Sequence, residues 1–311
     1  MGSSRLIHTI IGLLMCFVIN VASAQDALPI TESAVKAFQE GNIDQAKDRI
    51  HFALANETEK NHPYTWCVKG FVYKEIYKNT AQKDRKSPNR EIAIEAIMKS
   101  MALDTSKAYF DLNDKALRFL ATSIYNDVVL STRSLSEYTL EEPEQFYERY
   151  KEIMLFLEPN TTFNQQDLEL YRVLAEAHHR IYLKEPEKNN IYFERCADYY
   201  NQALSINAQD TLSNYNLAIL YYNKGVYKIK KIDHSTEIFE LIMIQDECVE
   251  LFKKSLPFML KAHELDPFRM EPLKGLRAIY KSLSDDENEE KYKKLLEQYI
   301  QEGIIKTEDG R

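Results

Sequence analysis

The sequence predicts an all-α chain made by stacking one recurring pair of helices, and three observations predict it. Glycine is scarce: eight occur in 311 residues, and two of them, Gly2 and Gly12, lie at the extreme N-terminus. Folds rich in tight turns or phosphate-cradling loops use far more. A large residue, then a large–small pair, then another large residue recurs at spacings of three, one and three, which places all four on one face of a helix. A second helical stretch with its own small residues follows each of these.

The N-terminus stands apart from the fold. Arg5 and His8 precede the apolar run "IIGLLMCFVINVA", and Ala22-Ser23-Ala24 comes before Gln25. This predicts a secretory signal peptide over 1–24, cleaved after Ala24, and an exported product, periplasmic or secreted. Asn20 and Ser23 leave the run short of the roughly 20 residues a spanning helix needs, and no later stretch is apolar for long enough. Lys and Arg number 40 against 48 Asp and Glu, a formal charge of −8, so no general affinity for nucleic acid is expected. Beyond the leader, Cys67, Cys196 and Cys248 are odd in number and widely spaced. They predict three buried thiols and no disulfide framework.

The units follow in order. First helices carry Trp66, Lys69-Gly70 and Tyr73; Leu117, Leu120-Ala121 and Ile124; Tyr171, Leu174-Ala175 and His178; Asn214, Leu217-Ala218 and Tyr221. Second helices carry Ala46, Ile50 and Ala53; Ala93, Ile97 and Ser100; Cys196, Tyr200 and Ala203; Ser255, Met259 and Ala262, the last closing at Pro267. Close packing explains the pattern. One helix needs a residue without bulk where the other crosses it, and large residues on either side to fill the flanks. That crossing position reads Ala34, Gly70, Ala121, Ala175, Ala218 and Arg277. Gly41 and Gly225 are placed where the chain leaves a first helix, in the left-handed conformation glycine takes without strain. Two units depart from the rule. Tyr147 and Met154 stand where the third unit's second helix should be small, and Arg277 with the charged "NEEKYKKLLEQYI" suits an end cap facing water.

These residues resemble the tetratricopeptide repeat (TPR) family, a 34-residue pair of antiparallel helices, over about residues 28–300. The resemblance implies a right-handed α-solenoid of five to six pairs across 25–302, with a flexible tail at 303–311. Two insertions interrupt it. Residues 79–91 are polar, basic and turn-prone and predict a loop. Residues 226–250, with the two that follow, carry Ile238, Leu241, Ile242, Ile244, Val249, Leu251 and Phe252 at helical spacing. They predict a lengthened second helix from about Thr236 to Leu265, capped by Asp233 or Ser235 and containing Pro257. In style the long helices are similar to repeat proteins of Bacteroidetes cell envelopes.

No HExxH, CxxC, phosphate loop or nucleophile elbow is present, so no enzyme, metal site or cofactor is expected. His178-His179 is the one adjacent histidine pair, with His178 in the packing stripe. The resemblance implies a concave face built from first-helix residues beside that stripe: Phe38; Phe71 and Lys74; Arg118, Tyr125 and Asn126; Arg172, His179 and Arg180; Tyr215, Tyr222 and Asn223; Lys274 and Lys281. Two readings stay open, a solvated helix face or a groove that takes an extended protein or peptide segment. The family's two-carboxylate clamp is not matched here. The expected function is a non-enzymatic exported scaffold. The alternatives are a glycan-binding accessory stacking sugars on Tyr125, Tyr215 and Tyr222, and a hydrolase of unrecognised site.

Overall fold

The computed structural model describes residues 28–80 and 84–305. The predicted leader with its expected cleavage point, and residues 306–311, lie outside the described residues. Among the described residues there are twelve helices: α1 Pro29–Gln39, α2 Ile43–Ala55, α3 Pro63–Thr80, α4 Pro88–Leu103, α5 Phe110–Thr132, α6 Glu142–Leu157, α7 Asn164–Tyr182, α8 Asn190–Ile206, α9 Thr211–Lys230, α10 Ile238–Leu265, α11 Met270–Ser282 and α12 Asp286–Gln301. Each odd-numbered helix packs most extensively on the even-numbered helix that follows it. The architecture is therefore a succession of TPR-like helix pairs.

The pairs fall into two compact units, one holding α1–α6 and the other α7–α12 together with residues 134–140. Within each, the small-residue rule is realised at the crossings. Ala34, Ala46, Ala121, Ala175, Ala203, Ala218 and Ala262 are all buried. At Gly70 a Cβ would lie 2.4 Å from Ile97 Cγ1, so α3 and α4 approach as closely as glycine permits. Ser255 Oγ donates to the Ala218 carbonyl at 2.7 Å across the fifth crossing. Pro267 is exposed in the turn after α10, where it only prevents the helix from continuing. The third pair keeps its large residues inside: Tyr147 is buried, Met154 packs on the first unit's core, and Tyr125 lies 4.9 Å from Tyr150.

At the C-terminal pair Arg277 is half-exposed and its Nε reaches Glu289 at 3.3 Å, so an ion pair replaces a small residue at the crossing. The packed chain also runs past 302. Ile304 and Ile305 donate backbone hydrogen bonds to the Tyr299 carbonyl and Ile305 is buried, although 303–305 read as the start of a tail. Cys67, Cys196 and Cys248 are free and buried. Burial pushes the thiols of Cys67 and Cys196 up to about 12, which keeps them protonated and unreactive.

Three expectations need correction. Gly41 has φ +80° and ends α1 as expected, but Gly225 does not end its helix. It sits inside α9, where a Cβ would lie 2.6 Å from Phe252 Cε1. Cys248 Sγ donates to its carbonyl at 3.3 Å. The lengthened hairpin needs a second close crossing two turns beyond Ala218, and glycine supplies it. Nor is 79–91 wholly a loop, since α3 runs through Thr80 and α4 begins at Pro88. Finally, α10 is long as predicted, but Asp233 does not cap it. Its Oδ1 accepts from the backbone and hydroxyl of Ser235 in the turn before the helix.

Candidate functional site

The predicted face is built from three recurring places on the first helices, and the structure gives each a different environment. The first is the residue directly after the leading large residue. Here Thr31 donates to Glu59 at 2.7 Å and shares a 2.9 Å hydrogen bond with Thr65. Arg118 donates to Glu158 at 2.7 Å and also pairs with Asp114 at 3.0 Å. Arg172 donates to Asp210 at 3.2 Å, and the Arg269 guanidinium lies 5.1 Å from the Tyr215 ring centroid. Glu158 closes α6, while Asp210 and Arg269 stand at the entries to α9 and α11. These side chains brace one pair against the turn that follows it. The charge or ring face of Arg118, Arg172 and Tyr215, three of the expected groove residues, is thus already engaged within the chain. Lys274 occupies the same place in the last pair and is exposed.

The second place lies a helical turn past the crossing, and its side chains mostly fold inward. The Lys74 amine sits 4.3 Å from the centroid of Phe71 and 5.9 Å from that of Phe119, and burial lowers its pKa. Tyr125 packs on Tyr150, and Tyr222 lies 5.4 Å from Phe252. His179 is half-buried with Nε2 shut off from solvent and, among the described residues, without a hydrogen-bond partner; burial lowers its pKa. It is a packing histidine rather than a groove contact. Its neighbour His178 lies in the stripe as predicted, with Nδ1 2.8 Å from the Leu174 carbonyl. Phe38 is buried as well. Only Lys281 stands exposed at this place.

The third place is the next residue along, and here Asn126, Arg180 and Asn223 are all exposed. In the second unit, then, α7, α9 and α11 present Arg180, Asn223, Lys274 and Lys281 to solvent. None of these three cations has an ion-pair partner within 4 Å among the described residues. Charge is also divided between the two sets of helices in that unit. Helices α7, α9 and α11 carry eight Lys or Arg against four Asp or Glu, whereas α8, α10 and α12 carry seven against twelve. A set of first helices that is net cationic in an acidic chain can hold carboxylates without expelling its own. Among the described residues no group of three His, Cys, Asp or Glu is placed to hold a metal ion. No described helix is long and apolar enough to cross a membrane.

Sequence reasoning missed the bracing partners Glu59, Glu158, Asp210 and Arg269. The available signal was a charged residue recurring at each turn between pairs. It also missed an exposed apolar tip on the fifth pair.

No family profile matches the chain, and no curated protein sequence matches it. Among solved structures the chain is similar to MamA, at 15% identity over 88% of this chain and 97% of that one, TM-score 0.28. It is also similar to Pseudomonas aeruginosa PilF, at 13% identity over 91% of each chain, TM-score 0.31. A human IFIT1 dimer gives 12% identity over 85% of this chain and 58% of that chain, TM-score 0.34. Likenesses this distant carry no argument about function, and the fold rests on the helix pairs themselves.

Proposed function

We propose that the protein is a non-enzymatic exported scaffold that holds an extended acidic protein segment on the first-helix face of its second unit. The observation that carries this reading is the division of charge in that unit, with Arg180, Lys274 and Lys281 exposed and, among the described residues, unpaired on the cationic set of helices. Asn223 supplies a neutral donor and acceptor between them. Export rests on the basic, apolar and small-residue order of 1–24, and mass spectrometry of the exported product should find Gln25 at its N-terminus. Sugar stacking draws no support from the tyrosines, because Tyr125, Tyr215 and Tyr222 are half-buried and each packs against a neighbour.

The test is fluorescence anisotropy with a labelled Glu- and Asp-rich peptide, run beside a Lys-rich peptide of equal length. The acidic peptide should bind and weaken as salt screens the contact. Arg180→Glu with Lys281→Glu should weaken it about tenfold or more while helical content by circular dichroism stays constant. Equal binding of both peptides, or binding that survives the double reversal, would remove this face as the site.

A further inference from the structure

The insertion in the fifth pair ends in a surface that the rest of its unit does not cover. Helix α10 buries nothing before Cys248. In its first turns Leu241 and Ile244 turn toward the hairpin and are partly covered, while Ile238, Phe239, Ile242 and Met243 point outward at 78%, 74%, 52% and 49% exposure. Ile229, at the end of α9, adds a fifth exposed apolar side chain at 46%. Large apolar residues gathered on one tip make a patch on the order of 500 Å², at the upper end of what monomers leave open. The inner side of the same tip is satisfied by contrast. Lys228 pairs with Glu247 at 2.5 Å, Lys231 with Glu187 at 2.9 Å, and Tyr227 donates to Glu187 at 3.3 Å.

Charge selects the occupant. Residues 226–247 hold three lysines against five acidic residues, so the tip lacks the cationic excess that draws an apolar knuckle onto anionic lipid. The charges left unpaired there among the described residues are instead of both signs and spatially sorted. Lys230 is exposed at the end of α9, and Glu237 and Glu240 are exposed at the start of α10. We infer that this tip is the contact for a second copy of the same chain. Two tips related by a two-fold axis would join like apolar patches and bring Lys230 of each against Glu237 and Glu240 of the other. One patch facing itself is the arrangement closed homodimers use. With its polar rim the surface approaches the roughly 800 Å² per partner of a standard interface. This surface is separate from the Arg180–Lys281 face and does not depend on it.

Sedimentation velocity of the full chain, expressed with its leader intact so that it is processed, tests the contact from low to high micromolar concentration. A monomer–dimer equilibrium is expected. Phe239→Asp with Ile242→Asp should weaken it by about 100-fold or more without altering the melting curve. Lys230→Glu alone should weaken it. Mixing that variant with Glu237→Lys/Glu240→Lys should restore association, since each then supplies the charge the other has lost. A wild type that stays monomeric throughout, or a dimer indifferent to Phe239 and Ile242, would overturn the inference. Flotation of a monomeric wild type with phosphatidylethanolamine–phosphatidylglycerol vesicles would overturn it too and give the tip to lipid.

Discussion

Residues 84–91 of the insertion in the second pair are held on their own unit by a buried charge, whereas the insertion in the fifth lengthens both helices and leaves its far end uncovered. In the first case Arg90 is almost fully enclosed. Its Nη1 donates to Asp127 at 2.5 Å, Tyr77 at 3.3 Å and Ser123 at 3.4 Å, and its Nη2 to the Arg85 carbonyl. One guanidinium thus ties α4 to α3, α5 and the inserted segment. In the second case Gly225 and Phe252 extend the crossing between α9 and α10 by two turns; between the start of α10 and the buried Cys248 only Leu241 and Ile244 are partly covered. A polar insertion can be anchored inward because its charge finds a partner. An amphipathic helical one keeps its apolar residues and has to find them cover elsewhere.

The largest way to break this contrast lies at Asp127. Asp127→Ala leaves the Arg90 guanidinium buried without a counter-charge, which should cost about 3–5 kcal/mol in chemical denaturation. The double variant Arg90→Leu/Asp127→Leu removes both desolvation penalties and should recover most of that loss. If Asp127→Ala alone costs less than about 1 kcal/mol, the pair does not hold the insertion and the contrast fails on that side.

Gly225→Ala probes the other side with a smaller effect. The new methyl meets the edge of the buried Phe252 ring at 2.6 Å, an overpacking that typically costs about 1–3 kcal/mol. Replacing a mid-helix glycine returns about 1 kcal/mol, so a net loss of around 1 kcal/mol is expected in the melting curve. Combining it with Phe252→Leu should show the two sites to be coupled, because the smaller side chain relieves the clash. Additive losses would mean that α9 and α10 are not in register at this second crossing.

How much of this could be read beforehand depends on how far each residue's role is written in its own type. Ala34, Ala175, Ala218 and Ala262 were legible because a close helix crossing demands a small residue, and the demand repeats. Gly225 was misplaced because the same residue type serves a left-handed helix end and a tight crossing. Only the continuation of α9 to Lys230 separates the two. Arg90 was hidden inside a basic, proline-containing run that reads as loop, and its burial depends on Asp127, 37 residues later. For the candidate face, register located the positions but not what neighbours do to them. Arg118 and Arg172 carry the right charge at the right place, yet Glu158 and Asp210 have already engaged it.

The smallest effect separates buried from exposed electrostatics within one insertion. Lys86 pairs with Glu142 at 3.0 Å and Arg85 approaches the same carboxylate at 3.8 Å, but the two basic side chains retain 65% and 38% of their exposure. Glu142→Gln should therefore cost only about 0.2–1 kcal/mol at low salt. That loss should vanish toward 1 M salt, where charges are screened within about 3 Å. Asp127→Ala should keep its penalty under the same salt, since ions do not reach Arg90. If both variants respond alike to salt, water reaches the Arg90 pair and the insertion is latched at its surface. If only Glu142→Gln responds, the hold on 85–90 comes from burial, and the exposed contacts merely align the segment over α6.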